Sequence, residues 1–494
     1  MKRFGWIVCA VAVLAGAAQA AVTVEKPSAD APVIITDNGN NWVMDNGIVK
    51  VTVNKNSGNI RSIVYKGTET MGAGGSWEQT PTRAGQVGGL TQSITIDPAS
   101  NGGARGEVSV KGITKGDPNA GLSPNSPGQG AQGTINLDLE IRTTLGRGES
   151  GVYTYAIFSH PAEYGQLNVP ESRFITFISK VFDWMSVDQD RHMLAPAPRD
   201  WGTGVVVHAK EQRIMSQGYY KNSVEHKYSY NAVQYKIPAW GYSSTKQHIG
   251  IYFINPSIEY LSGGATKQEL VAHYHDNANP DPVILDYWRG THYGGGATAE
   301  VPAGEAWSKV IGPIFVYVNA LQDFETPSQG DLDTLEATAG NPTVPAAWKN
   351  NATALWQDAL SQAKKEKAAW PYDWVQGVDY PHKNERGGVS GQIVLNDPQA
   401  STTKLPNLMV GLTHAEYPRL IGAGRGGAGR GATTAPAVAR GNAPAAAPGR
   451  GRGFGFNAPR TVDWAHDAKY YQFWNDGSED GQFTISKVRP GTYV

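Results

Sequence analysis

The sequence predicts an all-β protein, one large β-sandwich followed by a smaller one, and three observations carry that prediction. Short apolar runs alternate with polar residues at the two-residue period of a half-buried strand. Turn formers are abundant, with 59 Gly and 30 Pro among 494 residues. Helical spacing is sustained in a single stretch, so repeated strand–helix–strand units are not expected.

The elements follow in chain order. Residues 1–20, MKRFGWIVCAVAVLAGAAQA, have a basic start, a short apolar core and an Ala18-Gln19-Ala20 end. That is the layout of a cleavable secretory signal, too short in its apolar core to span a bilayer. The expectation is export, to a secreted or periplasmic location. Cys9, the one cysteine, falls inside this segment, so a disulfide framework and a cysteine nucleophile are both excluded from the mature chain.

In GIVKVTVNKNSGNIRSIVYKG, Val49, Val51 and Val53 alternate with polar residues, Asn56-Ser57-Gly58 turns the chain, and residues 60–65 return as a second strand. TINLDLEIRTTLG puts Ile135, Leu137, Leu139 and Ile141 on one face, after a Gly/Pro/Ser-rich loop at 116–133. RFITFISKVFDWM, GIYFINP and VIGPIFVYVN are dense apolar runs suited to the inner strands of stacked sheets. Residues 21–320 therefore read as the large sandwich.

Within 321–378 the residues Trp348, Ala352, Leu355, Trp356, Ala359 and Ala363 recur at helical spacing, with Lys364, Lys365 and Lys367 in the last turns where the helix dipole favours cations. This helical linker should buttress the sandwich. Residues 379–494 then return to short strands: SGQIVLND, LPNLMVGLTH, YYQFWND and GQFTISKVRPGTYV. Their order suits a small immunoglobulin-like or fibronectin-type sandwich, interrupted at 423–457 by a Gly/Arg/Ala-rich insertion. The chain stops in what reads as a strand, so a further C-terminal domain is expected beyond Val494.

A net charge of −1 argues against nucleic acid and strong polyanion capture, and no later run is long and apolar enough to be a membrane helix. The 14 Trp and 22 Tyr outnumber the 12 Phe, as expected where ring faces meet sugars or half-wet interfaces. No GxSxG, HExxH, CxxC or Walker loop occurs. His273 and His275 alternate in HYHD beside Asp276, which makes a metal pair or an exposed pair, and the acidic loop after it leaves calcium open. WRGTHYGGG offers Arg289 and His292, either as ligand contacts or as a hairpin end with Arg289 on a structural acid. VEHKYSYN holds His226, Lys227, Tyr228 and Tyr230; read as a strand, it puts the two phenols on one face, toward a ligand or simply toward solvent.

Several runs in one order resemble rhamnogalacturonan lyases of polysaccharide lyase family 4. They are RGESGVYTYAIFSHP, SRFITFISKVFDWMSVDQDRHMLAPAP, VEHKYSYN, EYLSGGATKQEL, WRGTHYGG and GEAWSKVIGPIFVYVN, with GGVSGQIVLND and GQFTISKVRPGTY in the second unit. The resemblance implies a galactose-mutarotase-like catalytic sandwich, a fibronectin type III-like module and cleavage of rhamnose–galacturonate bonds of rhamnogalacturonan I by β-elimination. The implied partner is that pectic polysaccharide, met by a monomer with no required cofactor.

Elimination needs a cation at the uronate carboxylate, a base near C5 and an acid near the departing O4. The family's lysine corresponds to Lys180 or Lys210, its tyrosines to Tyr228 and Tyr230. Trp240 stands where many members carry a histidine, leaving His226, His292 or a tyrosine for that role, with Arg289 beside the substrate. A non-catalytic pectin-binding protein and a glycoside hydrolase or epimerase are the rival readings.

Overall fold

The computed structural model describes residues 22–79, 89–114, 136–169, 171–207, 211–274, 281–290, 299–337, 343–414 and 464–494. The signal segment, the loop at 116–133 and the insertion at 423–457 lie outside the described residues, as do Lys210, His275, Asp276 and His292.

Two antiparallel sheets form the sandwich. The first has ten strands, ordered from one edge as His192–Leu194, Trp184–Ser186, Ala239–Ser243, Ile249–Ile254, Trp307–Asp323, Gly151–His160, Asp138–Gly146, Arg105–Gly112 and Thr91–Ile96, with Thr23–Val24 beside Trp307–Asp323. The second has nine: Ile34–Asp37, Asn41–Asp45, Val49–Asn54, Ile60–Tyr65, Met71–Gln79, Ser172–Ile178, Val283–Arg289 and Ala272–His273, with Thr68–Glu69 off Ile60–Tyr65.

The alternation seen in the sequence is what closes the two sheets on each other. Val49, Val51, Val53, Ile60, Trp77 and Phe174 from the second sheet share one buried core with Leu139, Ile141, Trp240, Ile251, Phe253 and Val316 from the first. Polar tips inside this core are satisfied across it. Trp77 Nε1 donates to Thr154 Oγ1 at 2.9 Å, Trp240 Nε1 to the Leu285 carbonyl at 3.1 Å and Tyr242 Oη to the His273 carbonyl at 2.9 Å. Each bond ties one sheet to the other and removes the cost of burying an unpaired donor.

The first sheet is buried on its outer face too. The expected helix forms as Ala346–Ala369 and lays Leu355, Trp356, Ala359 and Ala363 on Tyr153, Tyr252, Phe315 and Tyr317. The phenols here find acids: Tyr153 donates to Glu366 at 3.0 Å and Tyr317 to Asp358 at 2.6 Å. Part of the tyrosine excess is thus a buried layer beneath a helix, with hydroxyls bonded to carboxylates.

At the C-terminus Gly387–Gln392 pairs with Gln482–Val488, and Met409–Leu412 with Phe473–Asp476, around a small core of Phe473, Ile485 and Val488. Buried charges attach these strands to the sandwich. Arg386 grips Glu259 with two bonds of 2.6 and 3.1 Å, and Lys309 donates to the carbonyls of Ala468 (2.8 Å) and Tyr470 (2.9 Å).

Candidate functional site

The segment from Val224 to Val233 is where most of the sequence-derived site residues meet. Val224–His226 pairs with Gln212–Ile214, Gln212 directly opposite His226, and the Lys227 amide donates to the Glu211 carbonyl at 3.0 Å. The chain then departs from the expected strand. Lys227–Tyr230 is one turn of 3₁₀ helix, which the Tyr228 carbonyl accepting from Asn231 Nδ2 at 2.8 Å helps to close. Arg191 reinforces the turn by donating to the carbonyls of Ser229 and Asn231. These bonds replace the strand ladder the backbone gives up.

That turn corrects the pairing of the phenols. In a 3₁₀ helix residues three apart share a side, so Tyr228 and Tyr230 diverge. Tyr230 is 3% exposed and donates to Glu225 Oε2 at 3.0 Å, as does Tyr274 at 3.0 Å. Burial pushes the Glu225 carboxyl up, against the lowering pull of the two phenols and Ser223. Burial, then the Glu225 charge, drives the Tyr230 hydroxyl far above its ordinary value, so it is a fixed donor and no base. Tyr228 remains half-buried, its ring edge-on to His226 at 5.3 Å with the Lys227 ammonium 5.9 Å from its centroid. A cation over a phenol ring at this range is attracted to the ring face. His226, Lys227 and Tyr228 are thus half-buried side chains that the turn brings together.

Lys180 and Arg289 do not converge. Lys180 follows the end of Ser172–Ile178, its side chain 65% exposed and its ammonium 3.9 Å from Asp281. Arg289 stands opposite Ser172, at the other end of the same strand pair. Seven residues of strand put the two about 20 Å apart. Arg289 is buried, and its charge is among the influences that pull the Glu269 carboxyl down against burial, while Lys267 lies 3.3 Å from that carboxylate. Of its two readings, pairing to a structural acid is the one this burial fits.

Trp240 is corrected as well: it is fully buried between the sheets, its ring against Phe253 and its Nε1 spent on Leu285, so it offers no face to a sugar. His273 is buried rather than one of an exposed pair. Among the described residues no cluster of three or more His, Cys, Asp or Glu is placed to hold a metal ion.

One residue went unnoticed in the sequence. Arg173 lies on the outward side of Ser172–Ile178, where Phe174 turns into the core. Its guanidinium, 18% exposed, donates to Glu78 (3.1 and 3.3 Å), to Glu171 (2.7 Å) and to Tyr287 Oη (2.6 Å). A polar residue alternating with Phe174 in RFITF was the available signal. Arg173 and Arg289 both sit in one network with Glu171, Glu269 and Tyr287.

Fold and site define an all-β sandwich protein that presents a compact His-Lys-Tyr group beside one sheet edge and a charged network on that sheet's outer face. Comparison with known proteins gives this class its relatives. Residues 126–212 match the model of the rhamnogalacturonate lyase family, and residues 429–494 match domain II of polysaccharide lyase family 4. A rhamnogalacturonate lyase of Dickeya dadantii (strain 3937) is 29% identical over 179 residues, which cover 36% of this chain and 24% of that relative. The chain thus aligns with about a quarter of that relative's length. The resemblance drawn from the motifs is therefore shown.

Similar solved structures include a galactose mutarotase related enzyme from Lactobacillus acidophilus (8% identity, TM-score 0.27, 57% of this chain and 97% of that one). Galactose 1-epimerase from the same species matches with 8% identity and a TM-score of 0.28, covering 59% of this chain and 99% of that one. A TPR-domain containing protein from Parabacteroides distasonis gives 12% identity and a TM-score of 0.31, covering 67% and 62%. The architecture described above rests on the sheets themselves.

Proposed function

We propose that the protein is an exported lyase that cleaves rhamnose–galacturonate bonds of rhamnogalacturonan I by β-elimination. The observation that carries this reading is the juxtaposition of His226, Lys227 and Tyr228 with Gln212, the last residue of the stretch matched to the rhamnogalacturonate lyase family. Lys210, two residues before Gln212 in the chain, is assigned the base. Lys180, exposed and facing Asp281, is not.

In the reaction the base takes the C5 proton of the galacturonate, the C4–O4 bond breaks, and a C4=C5 double bond forms. The departing O4 needs a proton, a role assigned to the Tyr228 hydroxyl, whose ring lies edge-on to His226. Lys227 offsets the charge that builds on the uronate carboxylate as C5 loses its proton. Glu225 and Tyr230 hold the turn and exchange no proton with substrate.

The test is incubation with rhamnogalacturonan I while following the ultraviolet absorbance of the new conjugated double bond. Absorbance should rise, and Lys210→Ala and Tyr228→Phe should each slow it by about 10²–10⁴-fold. Folded protein that yields no absorbance overturns the proposal, and reducing ends without absorbance make the enzyme a hydrolase.

A further inference from the structure

The three-stranded sheet of Val205–Val206, Gln212–Ile214 and Val224–His226 carries the usual alternation inside out. Its inward face is polar. Glu225 is buried and bonded by Tyr230 and Tyr274. Arg213 lies with its guanidinium 5.1 Å from the Trp201 ring centroid and donates to the Trp201 carbonyl at 2.9 Å. The outward face is aliphatic. Val205 stands opposite Ile214, and Ile214 opposite Val224, so the register sets three branched side chains in one row across the sheet. They are 61%, 39% and 56% exposed.

An antiparallel sheet with one wet face normally turns polar residues to the water. Strand propensity does not account for the row, because threonine suits an exposed strand as well and leaves no apolar patch. A second copy of the chain does not account for it either. Three side chains spanning about 10 Å across the strands fall far short of the roughly 800 Å² per partner that a stable contact buries. A small apolar group is what the row fits.

Its position in the sheet selects that group. Two residues along the strands, on the same face, runs a second row of Val207, Gln212 and His226. Gln212 is opposite His226, and the Val207 amide donates to the Gln212 carbonyl at 3.2 Å. Strand geometry separates the two rows by about 7 Å, the scale of one sugar residue. His226 is edge-on to Tyr228, to which the proposed mechanism assigns the proton for the departing O4. The sugar bonded to that oxygen is rhamnose, a 6-deoxy hexose that has a methyl where other hexoses have a hydroxymethyl group.

We infer that the Val205–Ile214–Val224 row is the subsite for this rhamnose, receives its C6 methyl, and selects a 6-deoxy sugar over its hydroxylated counterpart. The methyl leaves water against three aliphatic side chains, whereas a C6 hydroxyl would be covered by a row whose side chains offer it no hydrogen bond. The inference rests on the lyase reading for the placement of the departing sugar.

The test uses the disaccharide galacturonosyl-rhamnose, which has the rhamnose but no rhamnose–O4 bond to break, and the same disaccharide with a hydroxyl on C6. Binding is measured by calorimetry and by the δ1-methyl signal of Ile214, assigned from Ile214→Val. The rhamnose compound should move that signal, and the hydroxylated one should bind at least threefold more weakly. Ile214→Thr with Val224→Thr keeps branched, strand-favouring side chains but removes the apolar row, and should bring the two affinities to within about 1.5-fold. Val224→Thr alone should shift the ratio in the same direction. Absence of binding, a still Ile214 signal at saturation, or an affinity ratio that the substitutions leave unchanged overturns the inference, as does a wild-type dimer that the double substitution separates. Failure of the lyase reading is separate: it shows as missing absorbance with rhamnogalacturonan I, whatever the Ile214 signal does.

Discussion

Two tyrosines two residues apart should respond to the same substitution in opposite ways. Tyr230 donates to Glu225 from a buried position, while Tyr228 is half-buried beside His226. Tyr230→Phe removes one of two phenols bonded to Glu225 Oε2, each at 3.0 Å. A hydrogen bond to a charged, buried acceptor is worth about 1.5–3 kcal/mol, so the unfolding constant should rise roughly 10- to 150-fold. The loss depends on pH. The folded-state carboxyl of Glu225 already lies above its ordinary value of 4.5, so between 4.5 and that raised value the folded protein holds more protons than the unfolded chain. This contribution to stability falls as pH rises through the window, and losing a phenol extends the window upward.

Tyr230→Phe should therefore cost more at pH 7 than at pH 4, read from urea midpoints, with little change in turnover per folded molecule. Tyr228→Phe should do the reverse, keeping the midpoint within about 0.5 kcal/mol while turnover falls. If Tyr230→Phe abolishes turnover in fully folded protein and Tyr228→Phe does not, the division of roles is wrong.

Three other outcomes follow from the same geometry. Lys180→Ala should change the elimination rate less than twofold and stability by less than about 0.5 kcal/mol, because the side chain is exposed and its carboxylate partner is 3.9 Å away; a rate loss of tenfold or more would return Lys180 to the site. Glu259→Gln leaves Arg386 and Arg489 buried without their shared counter-ion and should cost about 3–5 kcal/mol, seen as early proteolysis near residue 386. Lys309, brought down to about 7 by burial, binds fewer protons folded than unfolded up to its ordinary 10.5. Its contribution to stability should rise with pH from 7 to 10.5, and Lys309→Met should remove that slope from a series of denaturation midpoints.

How much of this was legible depended on whether period alone determines position. The inner-face valines 49, 51 and 53 and the helix residues Leu355, Trp356, Ala359 and Ala363 lie where their spacing put them, because apolar burial follows directly from two- and 3.6-residue repeats. The same rule failed at Lys227–Tyr230. Alternation there was real, but Arg191 and Asn231 supplied bonds from outside the segment that made a turn cheaper than a strand. Composition could not choose between sites: Tyr153 and Tyr317 count toward the excess of Tyr over Phe, yet both lie buried under the helix with their hydroxyls on carboxylates.

Trp240 shows how a motif position differs from a place in space. Read along the chain, it stood where many family members carry a histidine, and that substitution motivated a non-catalytic alternative. In the fold its indole is a tie between the two sheets, donating to Leu285 from a fully buried position. A histidine there would be as remote from solvent as the tryptophan is, so the presence of Trp240 says nothing about proton transfer at the surface. His226, already edge-on to Tyr228 and paired to the strand that follows Lys210, is the imidazole whose surroundings suit that task. In the proposed mechanism the chemistry is carried by a local turn and its flanking strand. The sandwich contributes the rigid edge on which that turn is held.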